Sequence, residues 1–549
     1  MMLASPLPLP TPADTRRVNA LTRAVATAMR RQSSLSLAAV DQAWLEGRPQ
    51  ILLPLLDTTV AASTAERRDE GLIAACRWLL ANQLELIRYK HERDYDWASA
   101  VLDAYQEKLI VLARAQTLQS DDWFALVNLL NVAKVPIRPE MTEALAKAAQ
   151  DATPSGEALS PHEFPAEVSR LVDELGRSVD DPFRVIERLA DVSTLMPVEF
   201  RVYLTHEMGL SSHAVLREAV PLLLLDPEPV IRQSAAVVLE QIASPRTFSP
   251  VMLRRTLLLR NWIPEVERAA IDRLVRKARV KGVECAQWAP AAPLSIECTI
   301  LDGSGAQALV LTTPVGRIGL FAGLLLKQGF GVRDAWCDLL VPRREITRAV
   351  KEARGEMARR MTGRDHLDTV VQHHIARGLA LGNLPQLPVV EIAEAIGATD
   401  WKDRRIDMAA ETERLLAGSD AAATNSAQIT SSLRRSGEWI ARDPMMQSWF
   451  EDEAAVRALV DRRPRLKLDV ALRRVLDEVL SARREAWAER LVLLALWMRD
   501  STEGSMPAEL WQDCAVLAHE LRTERPLAEL PAMVAIAERS LFVARVRAR

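Results

Sequence analysis

The chemically most suggestive residues are basic side chains between positions 246 and 281, where ten basic residues face only three acidic ones. Lys and Arg side chains in a row can neutralise phosphates, and a nearby indole can stack on a base. The alternative is a solvated helix face whose cations pair with acidic residues upstream, at 167–187. The predicted binding residues, called the basic stripe below, are Arg254, Arg255, Arg260, Trp262, Arg273, Arg276, Lys277, Arg279 and Lys281.

Three histidines form a second candidate, in the segment DHLDTVVQHHIARG. His366 and His373 are seven residues apart, so a helix places them on one face but about 10.5 Å apart along its axis. That distance is too long for a shared metal ion, which i,i+4 spacing would allow. His374 points elsewhere. We therefore expect structural histidines and no metal site.

The remaining chemical motifs are weak. The DGSG sequence at 302–305 offers only Asp302 and Ser304 as side-chain oxygen ligands, too few for a calcium loop. The chain has no phosphate-binding glycine motif and no nucleophile elbow. Its five cysteines are widely spaced, without a C-x-x-C pair, as is usual in a reducing compartment. We expect no cofactor, and the sequence favours a non-enzymatic protein.

Composition limits the classes of partner. A net charge of −3 provides no global attraction to nucleic acid or to an anionic membrane. The most apolar run, at 490–499, is far shorter than the roughly 20 residues that span a bilayer. The N-terminus has prolines where a signal peptide requires an apolar segment. We expect a cytoplasmic protein that does not bind membranes.

These residues must be positioned mainly by helices, since glycine is scarce, at 21 of 549 residues, and apolar residues recur at three- and four-residue steps. One buried helix face is predicted by Leu72, Ile73, Cys76, Leu79, Leu80 and Leu84. A buried core helix, with a partner-binding groove as the alternative, is predicted by Trp487, Leu491, Leu494, Ala495 and Met498. The Pro-, Ser- and Gly-containing segment 151–162 predicts a linker, and at 163–282 short helices alternate with turns. The predicted organisation is a disordered tail at 1–14, an N-terminal helical domain at 15–150, helical repeats at 163–282, a small α+β insert at 283–345, and a C-terminal helical domain at 346–549 with a mobile loop at 418–437.

One stretch of the repeat region, LLLLDPEPVIRQSAAVVLEQIAS at 222–244, carries a more specific pattern. Asp226 and Pro227 end one helix, and Pro229 starts the next with a preset φ. The residues predicted to face the core are Val230, Ala235, Val238, Leu239 and Ile242. Thirty-six residues later the same phases hold Val266, Arg268, Ile271, Leu274 and Val275, as expected of a repeat.

This stretch resembles a HEAT repeat, with Asp226, Pro227, Val230, Arg232, Ala235 and Leu239 at the positions that family favours. The resemblance covers about 213–281. It implies an alpha-solenoid and an Asp–Arg ladder between adjacent repeats. Trp262 replaces the aspartate in the second copy, so the ladder is in doubt there. HEAT folds carry many functions, DNA-repair glycosylases among them, so the resemblance bears on fold alone.

The insert differs in character. PLSIECTILDGSGAQALVLTTP alternates apolar and polar residues about DGSG, which predicts two strands and a hairpin loop. GRIGLFAGLLLKQGFG predicts a short apolar helix ended by glycines, and VRDAWCDLLVP a third strand. The overall prediction is a mostly α fold, with HEAT-like helical repeats, a small β-β-α-β insert and a helical C-terminal domain.

Two functional hypotheses follow. The first is a non-enzymatic cytoplasmic scaffold or adaptor that binds another protein through its solenoid surface. The second is a nucleic-acid-binding protein that uses the basic stripe, extended by Arg343, Arg344, Arg348, Arg359 and Arg360. A glycosylase is a remote third, because no aspartate identifies itself as catalytic.

Overall fold

The computed structural model describes residues 10–30, 37–93, 95–141, 143–144, 147, 164–193, 196–288, 290, 293–313, 316–354, 359–418, 426–442, 444–461, 466–501 and 509–547. Most of the predicted N-terminal tail and the predicted linker at 151–162 lie outside these residues. The tail prediction is wrong at its end, since a helix begins at Pro12. Thr11 and Asp14 start it as a capping pair: each backbone N–H donates to the other side chain, at 2.9 and 3.2 Å.

The chain divides into two compact units: Met1–Phe164 with Ala190–Pro197, and Pro165–Leu189 with Val198–Arg549. The helices described in the first unit form one apolar core, in which Leu52, Leu79 and Leu84 are fully buried. The predicted buried face at 72–84 is confirmed for Ile73, Cys76, Leu79, Leu80 and Leu84. The helices are α1 (Pro12–Arg30), α2 (Ala39–Glu46), α3 (Leu52–Thr64), α4 (Glu70–His91), α5 (Asp96–Arg114) and α6 (Ser120–Val132).

The second unit contains the remaining helices and the described sheet. Between 164 and 280 the helices are α7 (Phe164–Ser178), α8 (Pro182–Ser193), which ends in residues assigned to the first unit, α9 (Val198–Leu210), α10 (Ala214–Ala219), α11 (Pro229–Ile242), α12 (Pro250–Leu259) and α13 (Glu265–Val280).

An antiparallel five-stranded sheet follows, with strand order β4-β3-β2-β1-β5. The strands are β1 (Ser295–Thr299), β2 (Ala306–Thr312), β3 (Ile318–Lys327), β4 (Gly331–Pro342) and β5 (Arg359–Thr362), and α14 (Arg343–Arg354) precedes the last. The predicted DGSG hairpin is confirmed: Oδ1 of Asp302 accepts hydrogen bonds from the N–H groups of Ser304 and Ala306, both at 2.8 Å.

The predicted β-β-α-β order is wrong, because the apolar segment expected to be helical is strand β3. It pairs with both β2 and β4, so its backbone polar groups are satisfied by long-range partners. Gly323 suits this position, since a Cβ there would overlap the indole of Trp336 on β4. Strand β5 also lies in a region predicted to be helical, so the sheet extends past residue 345.

Helices dominate again after the sheet. They are α15 (Arg364–Ala380), α16 (Leu387–Ile396), α17 (Met408–Gly418), α18 (Ser426–Ser436), α19 (Trp439–Arg442), α20 (Ala454–Asp461), α21 (Leu468–Arg474), α22 (Arg484–Arg499), α23 (Glu509–Arg522) and α24 (Pro531–Arg547). Helix α18 contradicts the predicted mobile loop at 418–437 from Ser426 to Ser436, where Leu433 is buried and Arg435 pairs with the buried Asp513. Tertiary contacts thus override a small, polar composition. Positions 419–425 of that prediction lie outside the described residues.

Helix α22 lies in the core of the second unit. Trp487, Leu491, Leu494, Ala495 and Met498 are all buried, which confirms the interpretation of this segment as core. The sheet is fastened to this helix by the buried Arg490, whose Nε donates to Oε1 of Gln328 (2.7 Å) and whose Nη1 donates to the carbonyl of Gly303 (2.8 Å). Among the described residues no helix is both long and apolar enough to cross a membrane.

Candidate functional site

Helices α9, α11 and α13 stack side by side in the region predicted to hold repeats. Arg201, in the first turn of α9, pairs with Asp226 just before α11. Arg232, in the first turn of α11, makes a bidentate contact with Glu267 in the first turn of α13, at 2.8 and 2.6 Å. Because each pair joins the starts of neighbouring helices, the three helices run parallel.

The buried Arg232 also donates to the carbonyls of Asp226 and Pro227, at 2.8 and 2.9 Å. Its pKa is raised, chiefly by the hydrogen bonds to Glu267. Arg268, at the equivalent position of α13, donates to the carboxylate of Asp403 at 2.7 Å. A series of arginine–carboxylate pairs therefore runs across the stack, with Glu267 as the acceptor in the repeat that lacks the aspartate.

Four members of the basic stripe are engaged in holding the fold together. Arg255 is buried and forms a bidentate pair with Glu394 of α16, at 2.8 and 3.0 Å, and Arg254 lies 3.5 Å from the same carboxylate. Arg260 pairs with Asp272. Trp262 is fully buried, and its Nε1 donates to a backbone carbonyl at 2.8 Å. Arg255 and Trp262 are buried, whereas Arg254 and Arg260 are partly buried, so all four are occupied mainly by partners within the protein.

The other five members lie together in the last turns of α13 and just beyond it: Arg273, Arg276, Lys277, Arg279 and Lys281. Lys277 is partly buried and the other four are exposed. Within the described ranges none of the five has an ion-pair partner. We call this group the α13 basic patch. The negative end of the α13 helix dipole stabilises these positive charges. Because they have no ion-pair partner among the described residues, they are available to an acidic partner.

Valine side chains are exposed on the same two helices. Val230 and Val237 of α11 are 43% and 65% exposed, and Val266 and Val280 of α13 are 89% and 83% exposed. We call these four the valine face. A seven-residue step returns within about 20° of the same helix face, so each helix carries one column of exposed positions. Arg273 lies between the two valines of α13.

The prediction that Val230 and Val266 face the core is wrong. Each precedes the first core residue of the set, Ala235 or Ile271, by five positions, which corresponds to about 140° around a helix. Ile231 is the buried residue at the start of α11. The other apolar members of both sets are buried as predicted. The seven-residue step from Val230 to Val237 is a signal that could have revealed the exposed column.

The three histidines have structural partners. Nδ1 of His366 lies 3.3 Å from Asp500, and Nε2 of His373 lies 3.0 Å from Glu489. Nδ1 of His374 lies 2.8 Å from the carbonyl of Val370, and burial lowers the pKa of His374 to about 3. No group of residues that could hold a metal ion occurs among the described side chains.

Comparisons with known proteins identify two matching regions. Residues 197–282 match the family model described as the Y4lR second domain, and residues 409–545 match the Y4lR C-terminal helical domain. The first contains the α9–α11–α13 stack, and the second begins within α17. Neither model carries a description of function.

A curated relative is the uncharacterized protein y4lR of Sinorhizobium fredii (strain NBRC 101917 / NGR234). It is 25% identical over 288 residues, which cover 52% of this chain and 54% of the relative. The chain thus spans about half the length of the relative that it matches. No solved structure matches the chain.

Proposed function

We propose that this protein is a non-enzymatic scaffold or adaptor that acts in the cytoplasm and binds another protein through the outer face of the α9–α11–α13 stack. The observation that carries the proposal is the valine face beside the α13 basic patch. Exposed aliphatic residues contribute nothing to the stability of the free protein, whereas covering them with a partner releases water.

The partner that suits this surface is an acidic, amphipathic segment. Its apolar side would cover the two valine columns, which lie on neighbouring parallel helices about 8–10 Å apart. Its acidic residues would meet Arg276 and Lys277 near the end of α13. The arginine–carboxylate pairs across the stack support the further proposal that 163–282 is a HEAT-like repeat array, in which rigid helices hold the surface in place.

The proposal is tested by immobilising three forms of the protein and comparing which proteins of a cell extract each form retains. The three forms are wild type, Val237→Glu with Val266→Glu, and Val111→Glu. Val111 lies on α5 and is 52% exposed, so it is a matched control for replacing an exposed valine with a charge. We expect one protein to be retained by wild type and Val111→Glu but lost from the double variant. Equal retention by all three would contradict the proposal.

Nucleic-acid binding is the second candidate, and its main support is the α13 basic patch. Of the residues predicted to extend the basic stripe, Arg343, Arg344 and Arg348 are exposed on α14, and Arg359 and Arg360 are partly buried on β5. Five phosphate contacts would give a log–log salt slope of about −4.5 on duplex DNA. Fluorescence anisotropy with labelled duplex DNA, single-stranded DNA and RNA measures this slope. The triple reversal Arg273→Glu, Arg276→Glu and Lys277→Glu should flatten it, and no binding at low salt would exclude this function.

A further inference from the structure

A pocket of about 370 Å³ opens in the second unit where α15, α17 and α22 meet the segment between α16 and α17. Its apolar lining comes from Ile406, Ala410 and Leu496. Four arginines also line the pocket: Arg404, Arg405, Arg414 and Arg499. The size is within the range of small-molecule sites, about 300–1,000 Å³.

The carboxylates of the pocket are committed to partners within the protein. Oδ1 of Asp407 accepts from the N–H groups of Ala409 and Ala410, at 3.0 and 3.1 Å, and so caps α17. Glu411 accepts from Nε of Arg414 at 2.8 Å and lies 3.6 Å from Arg499. These carboxylates therefore neutralise Arg414 and Arg499 only in part.

Asp500 completes the acidic side of the pocket. It accepts from Nε of Arg499 at 2.8 Å and lies 3.3 Å from Nδ1 of the buried His366. Burial acts to raise the pKa of Asp500, but the hydrogen bonds to His366 and Arg499 outweigh it and lower that pKa. Asp500 is thus held as a carboxylate that fixes the guanidinium of Arg499 at the pocket wall.

Arg404 and Arg405 differ from the other two arginines, because neither side chain has a hydrogen-bond or ion-pair partner within the part of the chain that the structure describes. Both are exposed at the mouth of the pocket. Planar guanidinium groups with unused donors are suited to bidentate contact with a phosphate or carboxylate. The hydroxyl of Thr369 is a further polar group in the lining.

The segment that carries the two free arginines is fixed on both sides. The buried Trp401 donates from Nε1 to Oδ1 of Asp368 at 2.7 Å. The N–H of Ile406 donates to Nδ1 of the buried His373 at 3.2 Å. The backbone of this short segment is therefore already ordered, and binding would cost mainly the rotamer freedom of the two arginine side chains.

We infer that this pocket binds a small organic anion, with a phosphate or carboxylate group between Arg404 and Arg405 and an apolar body against Ile406 and Leu496. This site is separate from the valine face and the α13 basic patch. It provides the adaptor with a ligand-binding site that also touches the start of α17 and the end of α22. A bound anion would therefore connect α17 and α22 with the segment that carries Arg404 and Arg405.

Isothermal titration calorimetry of the full chain with phenyl phosphate, benzoate and inorganic phosphate tests the inference. We expect phenyl phosphate or benzoate to bind with a Kd of about 1 mM or tighter, and more tightly than inorganic phosphate, which leaves the apolar lining uncovered. The comparison of phenyl phosphate with benzoate identifies which anionic group the arginines prefer.

The double variant Arg404→Gln with Arg405→Gln should weaken binding by about tenfold for each charge-assisted contact that is lost. Since both side chains are exposed, its thermal unfolding should match wild type. Arg16→Gln with Arg23→Gln removes two exposed arginines from α1, which contains no residue of any proposed site, and serves as the matched control, with unchanged affinity expected. Absence of saturable binding by all three probes, or equal affinity in the two double variants, would overturn the inference.

Discussion

Replacing Arg232 with methionine tests whether the arginine–carboxylate pairs hold the helical stack together. The guanidinium is buried and donates to both oxygens of Glu267 and to two backbone carbonyls. Methionine preserves most of the apolar stem but leaves a mostly buried carboxylate without a cation. Removing one partner of a buried pair costs about 3–5 kcal/mol. The side chain of Glu267 is 18% exposed, so we expect about 3 kcal/mol.

Hydrogen exchange measured by mass spectrometry is the suitable assay, because a chain with two compact units need not unfold in one step. Exchange through local opening should accelerate by about a hundredfold in α11 and α13 for 3 kcal/mol, and the first unit should be unaffected. The double variant Arg232→Met with Glu267→Leu removes the unpaired charge and should recover much of the protection. The exposed Arg273→Met is the control. Unchanged exchange in Arg232→Met would refute the structural role given to these pairs.

Three further predictions concern the second unit. Gly303→Ala would place a methyl group onto the carbonyl oxygen of Ser448, a backbone atom that cannot move aside. Thermal unfolding should therefore show a loss of about 1–3 kcal/mol in stability. Gly363 faces open space, so Gly363→Ala is the control and should leave the stability unchanged. Burial and neighbouring carboxylates raise the pKa of Glu391 to about 7. The folded protein therefore binds the extra proton, and stability should fall as the pH rises from about 4.5 to 7. Glu391→Gln should remove this slope in a stability–pH titration, and stabilise the protein above pH 7 by about 1 kcal/mol after allowance for solvent screening. Arg490→Met would leave the carbonyl of Gly303 and Oε1 of Gln328 without their donor. Hydrogen exchange should therefore be faster than in wild type in β1 and β2, and unchanged in α13.

Local pattern was sufficient for the elements whose packing follows from their own sequence. The three- and four-residue steps at 72–84 and 229–242 predicted helices and most of their buried residues. The hairpin around DGSG followed from the alternation of apolar and polar residues and from the glycines of the loop. In helix α22 the spacing of Trp487 and Leu491 marked residues that lie in the core.

Long-range partners decided what the sequence alone could not. Strand β3 is a run of apolar residues without helical or alternating period, and its strand conformation depends on pairing with β2 and β4. Long-range partners also determine which residues of the basic stripe are engaged within the fold and which are free. Glu394, which engages Arg255 and lies near Arg254, is 139 residues away from Arg255 in the sequence, so no spacing rule could separate engaged arginines from free ones.

Site-specific photo-crosslinking tests the proposed interaction surface most directly. A benzophenone amino acid would be introduced at Val237 or Val266 on the valine face, and at Val111 on α5 as the control, followed by irradiation in the native cell. The proposed function predicts the same partner protein attached at both valine-face positions and absent at Val111, with the attachment lost when Arg276 and Lys277 are reversed to Glu. Equal crosslinking at all three positions, or none at Val237 and Val266, would contradict it.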